Sequence, residues 1–188
     1  MRTKELNAQF RRVFAAIVPP VEVQRILYRT SGQLVKAFPD ARVRRTAPDH
    51  HHITLKFIAR AGQSELEGLE RRIEEICEQL RPFTLRTGRI ESFRGDGQHI
   101  FWCSVSEDEG GSKNANLTTI YRHLNGKVAK NFTPHITIAR LKSGVRRSGL
   151  DIDLPTLAFM ANELSIIESH LTPSGPRYDV IARHRFSD

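Results

Sequence analysis

Two stretches of this chain carry the same strand pattern, "HITLKF" starting at His52 and "HITIAR" starting at His135, 83 residues apart. In the first, Ile53, Leu55 and Phe57 alternate with His52, Thr54 and Lys56; in the second, Ile136 and Ile138 alternate with His135 and Thr137. An extended backbone sends successive side chains to opposite faces, so each stretch predicts a half-buried strand with a histidine and a threonine on its polar face. A Pro-containing turn precedes each copy, and a strand followed by a helix precedes each turn. The repetition of strand, helix and motif strand predicts a pseudo-repeat of two lobes, each contributing one His-x-Thr strand.

The rest of the chain fits that frame. "RVFAAIV" (Arg12–Val18) reads as a buried strand ended by Pro19-Pro20; Pro20 suits the first turn of a helix, in which Val23, Ile26, Leu27, Leu34 and Phe38 recur at helical spacing. Val43 to Asp49 reads as a polar connection. Leu66, Leu69, Ile73, Ile76, Cys77 and Leu80 form a second helical stripe, with Ser64 and Glu67 in capping-box spacing and Pro82 as a stop. Strands are expected at Phe83–Phe93 and Ile100–Val105 around the turn Gly95-Asp96-Gly97. A third helix is expected through Leu117, Ile120, Tyr121, Leu124 and Val128, a basic loop at Ser143–Leu154, and closing strands at Glu163–Ser169 and Tyr178–His184. Hairpin signals and broken alternation argue for α+β architecture with antiparallel sheets, not a doubly wound parallel sheet. At 188 residues the chain fits one bilobal domain spanning 1–188.

Composition narrows the class of partner. Lys plus Arg number 29 against 21 Asp plus Glu, a net charge of +8, which favours a polyanion, nucleic acid before a membrane surface. Cys77 and Cys103 lie in apolar patterns outside any C-x-x-C and read as reduced core residues of a cytoplasmic protein. Neither a secretory leader nor a membrane-spanning run is visible.

Eight histidines and 12 threonines in 188 residues produce about 0.5 His-x-Thr triplets by chance, and three occur. His170-Leu171-Thr172 runs into the turn Pro173-Ser174-Gly175 and reads as structural. Within "DHHHIT", His50 sits at the turn, His51 points to the opposite face, and only His52 has a hydroxyl partner on its own face. Two imidazoles across a cleft suit acid–base work near neutral pH, because an unperturbed imidazole titrates near 6.5. Two hydroxyls can hold oxyanions without adding charge. That set matches a phosphodiester attacked by water, with no metal or other cofactor required.

"HHITLKF" and "TPHITIAR" resemble the paired H-x-T-x motifs of the 2H phosphoesterase superfamily, and among its members the RNA 2′,3′-cyclic phosphodiesterases, also called 2′-5′ RNA ligases. "RRVFAAIVPP", "HIFWCSV" and "ELSIIESHLTPSGPRYDVIARHRF" resemble that family's opening, central and closing segments, so the likeness covers nearly the whole chain. The resemblance implies two lobes of antiparallel sheet lining a central cleft, with helices outside. It implies that His52 is the proton donor to a departing 3′ oxygen, that His135 is the proton acceptor activating water, and that Thr54 and Thr137 bind phosphate. The expected partner is RNA with a 2′,3′-cyclic phosphate end, or a cyclic nucleotide, handled by a monomer. The chain departs from the family in having Arg45 where many members have tryptophan, and Ile58-Ala59 where they have Leu-Gly.

Three neighbours are harder to place. Lys56 shares the His52 face by alternation and is a candidate phosphate contact, or a solvated strand end. Arg140 resembles a family arginine, but alternation turns it from the cleft unless the strand bulges. Phe57 is a candidate base-stacking residue that alternation assigns to the core. Two other readings remain: a metal site from His50, His52 and His135, and an RNA-binding module with the same fold and little turnover.

Overall fold

The computed structural model describes residues 10–95, 97–107, 114–126, 132–142, 152–173 and 175–187. Nine strands and three α-helices occur among them. In chain order these are β1 (Arg11–Ile17), α1 (Val21–Ala37), β2 (Val43–Arg45), β3 (Ile53–Ala61), α2 (Gln63–Gln79), β4 (Phe83–Gly95), β5 (Gln98–Glu107), α3 (Ala115–Asn125), β6 (His135–Lys142), β7 (Ala158–Ala161), β8 (Glu163–Thr172) and β9 (Gly175–Arg185), with one 3-10 turn at Pro48–His50. The strands form one curled antiparallel sheet ordered β7-β4-β5-β6-β3-β1-β8-β9, with β2 pairing on β6.

The sheet divides into two halves of four main strands. In one, β3 is flanked by β1, then β8, then β9; in the other, β6 is flanked by β5, then β4, then β7. The halves meet where β3 pairs β6, and Ile53↔Ile136 is the backbone pair there. This is the pseudo-repeat expected from the two motif strands, and the architecture is the expected α+β type with antiparallel strands.

One face of the sheet is dry. Val13, Ala15, Ile17, Ile53, Leu55, Ile136, Ile138 and Leu141 point to it and are almost fully buried, packed against Leu27 and Leu34 of α1, Ile73 and Ile76 of α2, and Ile120 and Leu124 of α3. The helices therefore cover the outer face and leave the inner face open. Cys77 and Cys103 lie in this core, where burial raises their thiols to about 11 and about 12. They are protonated, weakly reactive side chains.

Several local details differ from the sequence reading. Pro20 is the N-cap of α1 and stands just before the helix; its carbonyl accepts from Gln24 N at 3.0 Å. Helix α2 is capped at Gly62, two residues ahead of the Ser64 cap expected, because Glu65 folds back to accept from Gly62 N at 3.0 Å. The polar stretch after Ala41 holds the short strand β2, which pairs with β6 through its backbone and so needs no apolar pattern. Strand β7, four residues long, was not foreseen. At α3, Glu107 accepts from Leu117 N at 2.7 Å, placing a carboxylate at the helix N-terminus, where the exposed N–H groups favour it. Val128, Asp96 and most of the Ser143–Leu154 loop lie outside the described residues.

Candidate active site

The Ile53↔Ile136 pair fixes the arrangement of both motifs. Both isoleucines are 0% exposed and face the helices. Antiparallel register then sets His52 opposite Thr137 and Thr54 opposite His135, all on the other face. The two histidines are diagonal neighbours in that register, a relation that separates their Cα atoms by about 7–8 Å. All four side chains line one cleft of about 780 Å³.

Both imidazoles are held in the same way. His52 Nδ1 lies 2.7 Å from the carbonyl of His50, and His135 Nδ1 lies 2.7 Å from the carbonyl of Thr133. A carbonyl can only accept, so each Nδ1 carries a proton and donates it. The nitrogen left to exchange a proton with a ligand is Nε2 in each ring. Aromatic neighbours brace the rings: Phe14 and Tyr178 stand 4.6 Å and 5.5 Å from His52, and Trp102 stands 5.3 Å from His135.

The charge state of His52 follows from this packing. Burial is the largest influence and lowers its pKa to about 4; the His50 carbonyl opposes, and His50, Arg140 and His135 lower it further. With no ligand present, His52 is neutral near pH 7. A bound anion would oppose the neighbouring positive charges and favour its protonation. His51 points the other way, is 0% exposed, and is lowered to about 4, chiefly by burial.

Each motif strand is interrupted just past its threonine. Ala16 pairs with Thr54 and Ala15 with Lys56, so Leu55 is an extra residue in β3. Trp102 pairs with Thr137 and Phe101 with Ala139, so Ile138 is an extra residue in β6. Both bulges fall three positions after the histidine. A bulge advances the side-chain alternation by one residue. Phe57 and Arg140 consequently join the cleft face, five positions after their histidines, and both line the cleft. Phe57 is 45% exposed, not packed in the core as alternation alone implied. Lys56 is turned out of the cleft for the same reason, and lines a separate hollow beside α2. The expected sharing of a face by Lys56 and His52 fails at this bulge.

Arg12, Arg44, Arg45 and Arg140 line the cleft, and no aspartate or glutamate does among the described residues. Arg45 is tied to α1: its Nε donates to Ser31 Oγ at 2.9 Å, another nitrogen donates to the Tyr28 carbonyl, and it lies 3.6 Å over the Tyr28 ring. Arg12 lies 4.4 Å over the Phe57 ring. Arg44 reaches the β8–β9 turn and packs on Gly175, whose φ of +130 suits glycine. His50, His52 and His135 do not converge as a ligand trio. The one cluster of metal-capable side chains among the described residues is Glu70, Glu74 and His184, outside the cleft.

Residues 13–172 match the model of the 2′-5′ RNA ligase superfamily. The chain belongs to that superfamily. Its relatives include an RNA 2′,3′-cyclic phosphodiesterase of Aquifex aeolicus, 30% identical over 71% of this chain and 77% of that one. A solved structure of Thermus thermophilus TT0787 superposes with a TM-score of 0.68 at 24% identity, over 93% of this chain and 97% of that one. Escherichia coli LigT complexed with 3′-AMP gives 0.65 at 19% identity, over 95% and 99%. These two likenesses establish the fold, and the family match agrees with the paired motifs.

Other residues of this superfamily member reach the cleft without having been singled out from the sequence. Tyr178 on β9 packs against Phe14, His50 and His52. It sits opposite Ser169 on β8, a pairing that no local pattern discloses. Arg12 on β1 and Arg44 on β2 belong to strands whose cleft-facing side is set only by sheet pairing. His170 pairs with Asp179 at 3.0 Å away from the cleft, and Thr172 is the last residue of β8, its Oγ1 donating to the Gly175 carbonyl at 2.6 Å across the β8–β9 connection.

Proposed function

We propose that this protein is an RNA 2′,3′-cyclic phosphodiesterase that opens terminal cyclic phosphates to 2′-phosphomonoesters. Its relatives carry that name. The observation that carries the reading is the matched pair of imidazoles, each locked through Nδ1 to the carbonyl two residues before it, in one arginine-lined cleft.

The cyclic phosphate sits between His52 and His135, with Thr54 and Thr137 donating hydroxyl protons to its non-bridging oxygens. Arg140 adds a fork of N–H donors suited to phosphate. His135 Nε2 accepts a proton from a water molecule as the water oxygen bonds to phosphorus. The P–O3′ bond breaks, and His52 Nε2 gives its proton to the departing 3′ oxygen. The phosphate remains on the 2′ oxygen, and a proton passing from His135 to His52 through solvent restores the start. This cycle needs a charged His52, and the bound anion supplies the field that charges it. Phe57, backed by Arg12, offers a ring face to the terminal base. The scheme calls on no metal, and its setting is a cytoplasmic monomer acting on RNA ends.

Hydrolysis of a cyclic-phosphate-ended oligoribonucleotide in EDTA tests the reading. Accumulation of the 2′-phosphate product, abolished in His135→Ala, is expected. Undiminished turnover by that variant would refute the mechanism. Salt-sensitive RNA binding without product from any cyclic phosphate would favour the binding-module reading, for which the neutral His52 of the free protein is the supporting observation.

A further inference from the structure

The bulge that delivers Phe57 to the cleft turns Lys56 into a second hollow of about 650 Å³ between β3 and α2. Lys56, Arg60 and Arg72 line it, against a single carboxylate, Glu65. That carboxylate is already engaged, accepting from Gly62 N at 3.0 Å and Ser64 Oγ at 3.4 Å. Arg72 is exposed yet oriented, with Nη1 donating to the Leu124 carbonyl at 3.3 Å; Arg60 is exposed and lies 4.5 Å over the Phe10 ring. The hollow therefore presents excess positive charge on supported side chains.

It adjoins the cleft at one side chain. Phe57 lines both. Among the described residues β3 meets β6 only at Ile53↔Ile136, so past Thr54 its β6-side edge has no strand beside it. Asn125 Nδ2 donates to the Leu55 carbonyl at 3.0 Å, and the Phe57 ring, 45% exposed, is the side chain common to both hollows.

We propose that a single RNA strand whose reacting end occupies the cleft leaves over Phe57 and lays its next phosphates in this hollow, against Arg60 and Arg72. The identity of the reacting end rests on the function proposed above; the hollow's charge and its shared Phe57 wall do not. The surface makes the protein prefer a polynucleotide end over a free cyclic nucleotide.

The test compares 2′,3′-cyclic AMP with a hexaribonucleotide ending in a 2′,3′-cyclic phosphate, in the unaltered protein and in Arg60→Ala/Arg72→Ala. The double variant is expected to lose about tenfold in kcat/KM on the hexamer. The salt dependence of that constant should become shallower by about 0.7 per lost phosphate contact. Turnover of cyclic AMP should stay unchanged, and Arg60→Lys/Arg72→Lys should retain most of the hexamer preference. Equal loss on both substrates, or none on the hexamer, overturns the proposal. If the alanine variant does not fold, the unaltered protein decides: equal salt slopes for hexamer and cyclic AMP overturn it, and a steeper slope for the hexamer supports it. Binding of a fluorescent hexamer ending in an unreactive 3′-phosphate separates the two readings. If nothing is hydrolysed but this probe binds and weakens in the alanine variant, the surface stands and the enzyme reading falls. If cyclic AMP is hydrolysed but the probe is indifferent to both arginines, the reverse holds.

Discussion

Leu55 and Ile138 are counterparts: each is the unpaired extra residue of a β-bulge three positions after a cleft histidine. Their shared effect is to bring the residue two places further on, Phe57 or Arg140, onto the histidine face. One half of the molecule thereby gains an aromatic platform and the other a cation. If Arg140 holds phosphate, Arg140→Ala should raise KM for a cyclic phosphate about 10- to 100-fold, with a smaller change in kcat. Arg140→Lys should recover only part, because an ammonium lacks the fork geometry. Unchanged steady-state constants in Arg140→Ala would remove this residue from the site.

Phe57 should act on binding and not on proton transfer. Base–aromatic stacking is worth about 1–3 kcal/mol per base. Phe57→Leu, which keeps an apolar side chain, should raise KM for 2′,3′-cyclic AMP about tenfold and leave kcat within about twofold. Phe57→Tyr should stay close to the unaltered protein. A leucine variant with normal KM would show that the ring faces solvent to no purpose.

Anion binding should draw in a proton at His52. Free His52 titrates at about 4, and a bound anion raises that value, so affinity for an anion should increase as pH falls from about 7 toward 5. Sulfate suits the measurement because it does not itself titrate there. Calorimetry in two buffers of different ionisation heat should find proton uptake on sulfate binding, diminished in His52→Gln. Sulfate affinity indifferent to pH and to this substitution would contradict the charge switch that the acid role requires.

Acid should weaken the fold through His51. Its pKa is about 4 when folded and about 6.5 when unfolded, so the unfolded chain binds more protons between those values. The stability contribution is complete above about pH 6.5 and declines as pH falls toward about 4, by up to about 3 kcal/mol. His51→Phe should flatten that part of a denaturation-against-pH curve, whatever it does to stability at neutral pH. An equally steep curve in the variant would place the acid sensitivity elsewhere.

The sequence disclosed what depends on local period. The apolar stripes of α1, α2 and α3 and the two motif strands were legible because burial of one face imposes 3.6- or 2-residue repeats. Both histidines and both threonines follow from strict alternation up to the threonine. Beyond it the alternation breaks, and Lys56 and Phe57 exchange faces, because the bulges are set by pairing with β1 and β5, not by anything within the motif. Strand β2 was hidden because an edge strand needs backbone partners and little apolar surface. Tyr178 was hidden because its neighbours Phe14 and His52 come from distant parts of the chain.

Ile53 and Ile136 have a further consequence. The pairing of β3 with β6, one residue pair long, sets the gap between two groups that must act on the same phosphorus atom. A tilt of about 6° about it, acting over about 10 Å, moves a ring by about 1 Å, a displacement able to cost about a hundredfold in rate. Turnover is in that sense a gauge of how α1 and α2 clasp the back of the sheet. Substitutions in those helices, remote from any ligand, should register in kcat before they register in melting temperature.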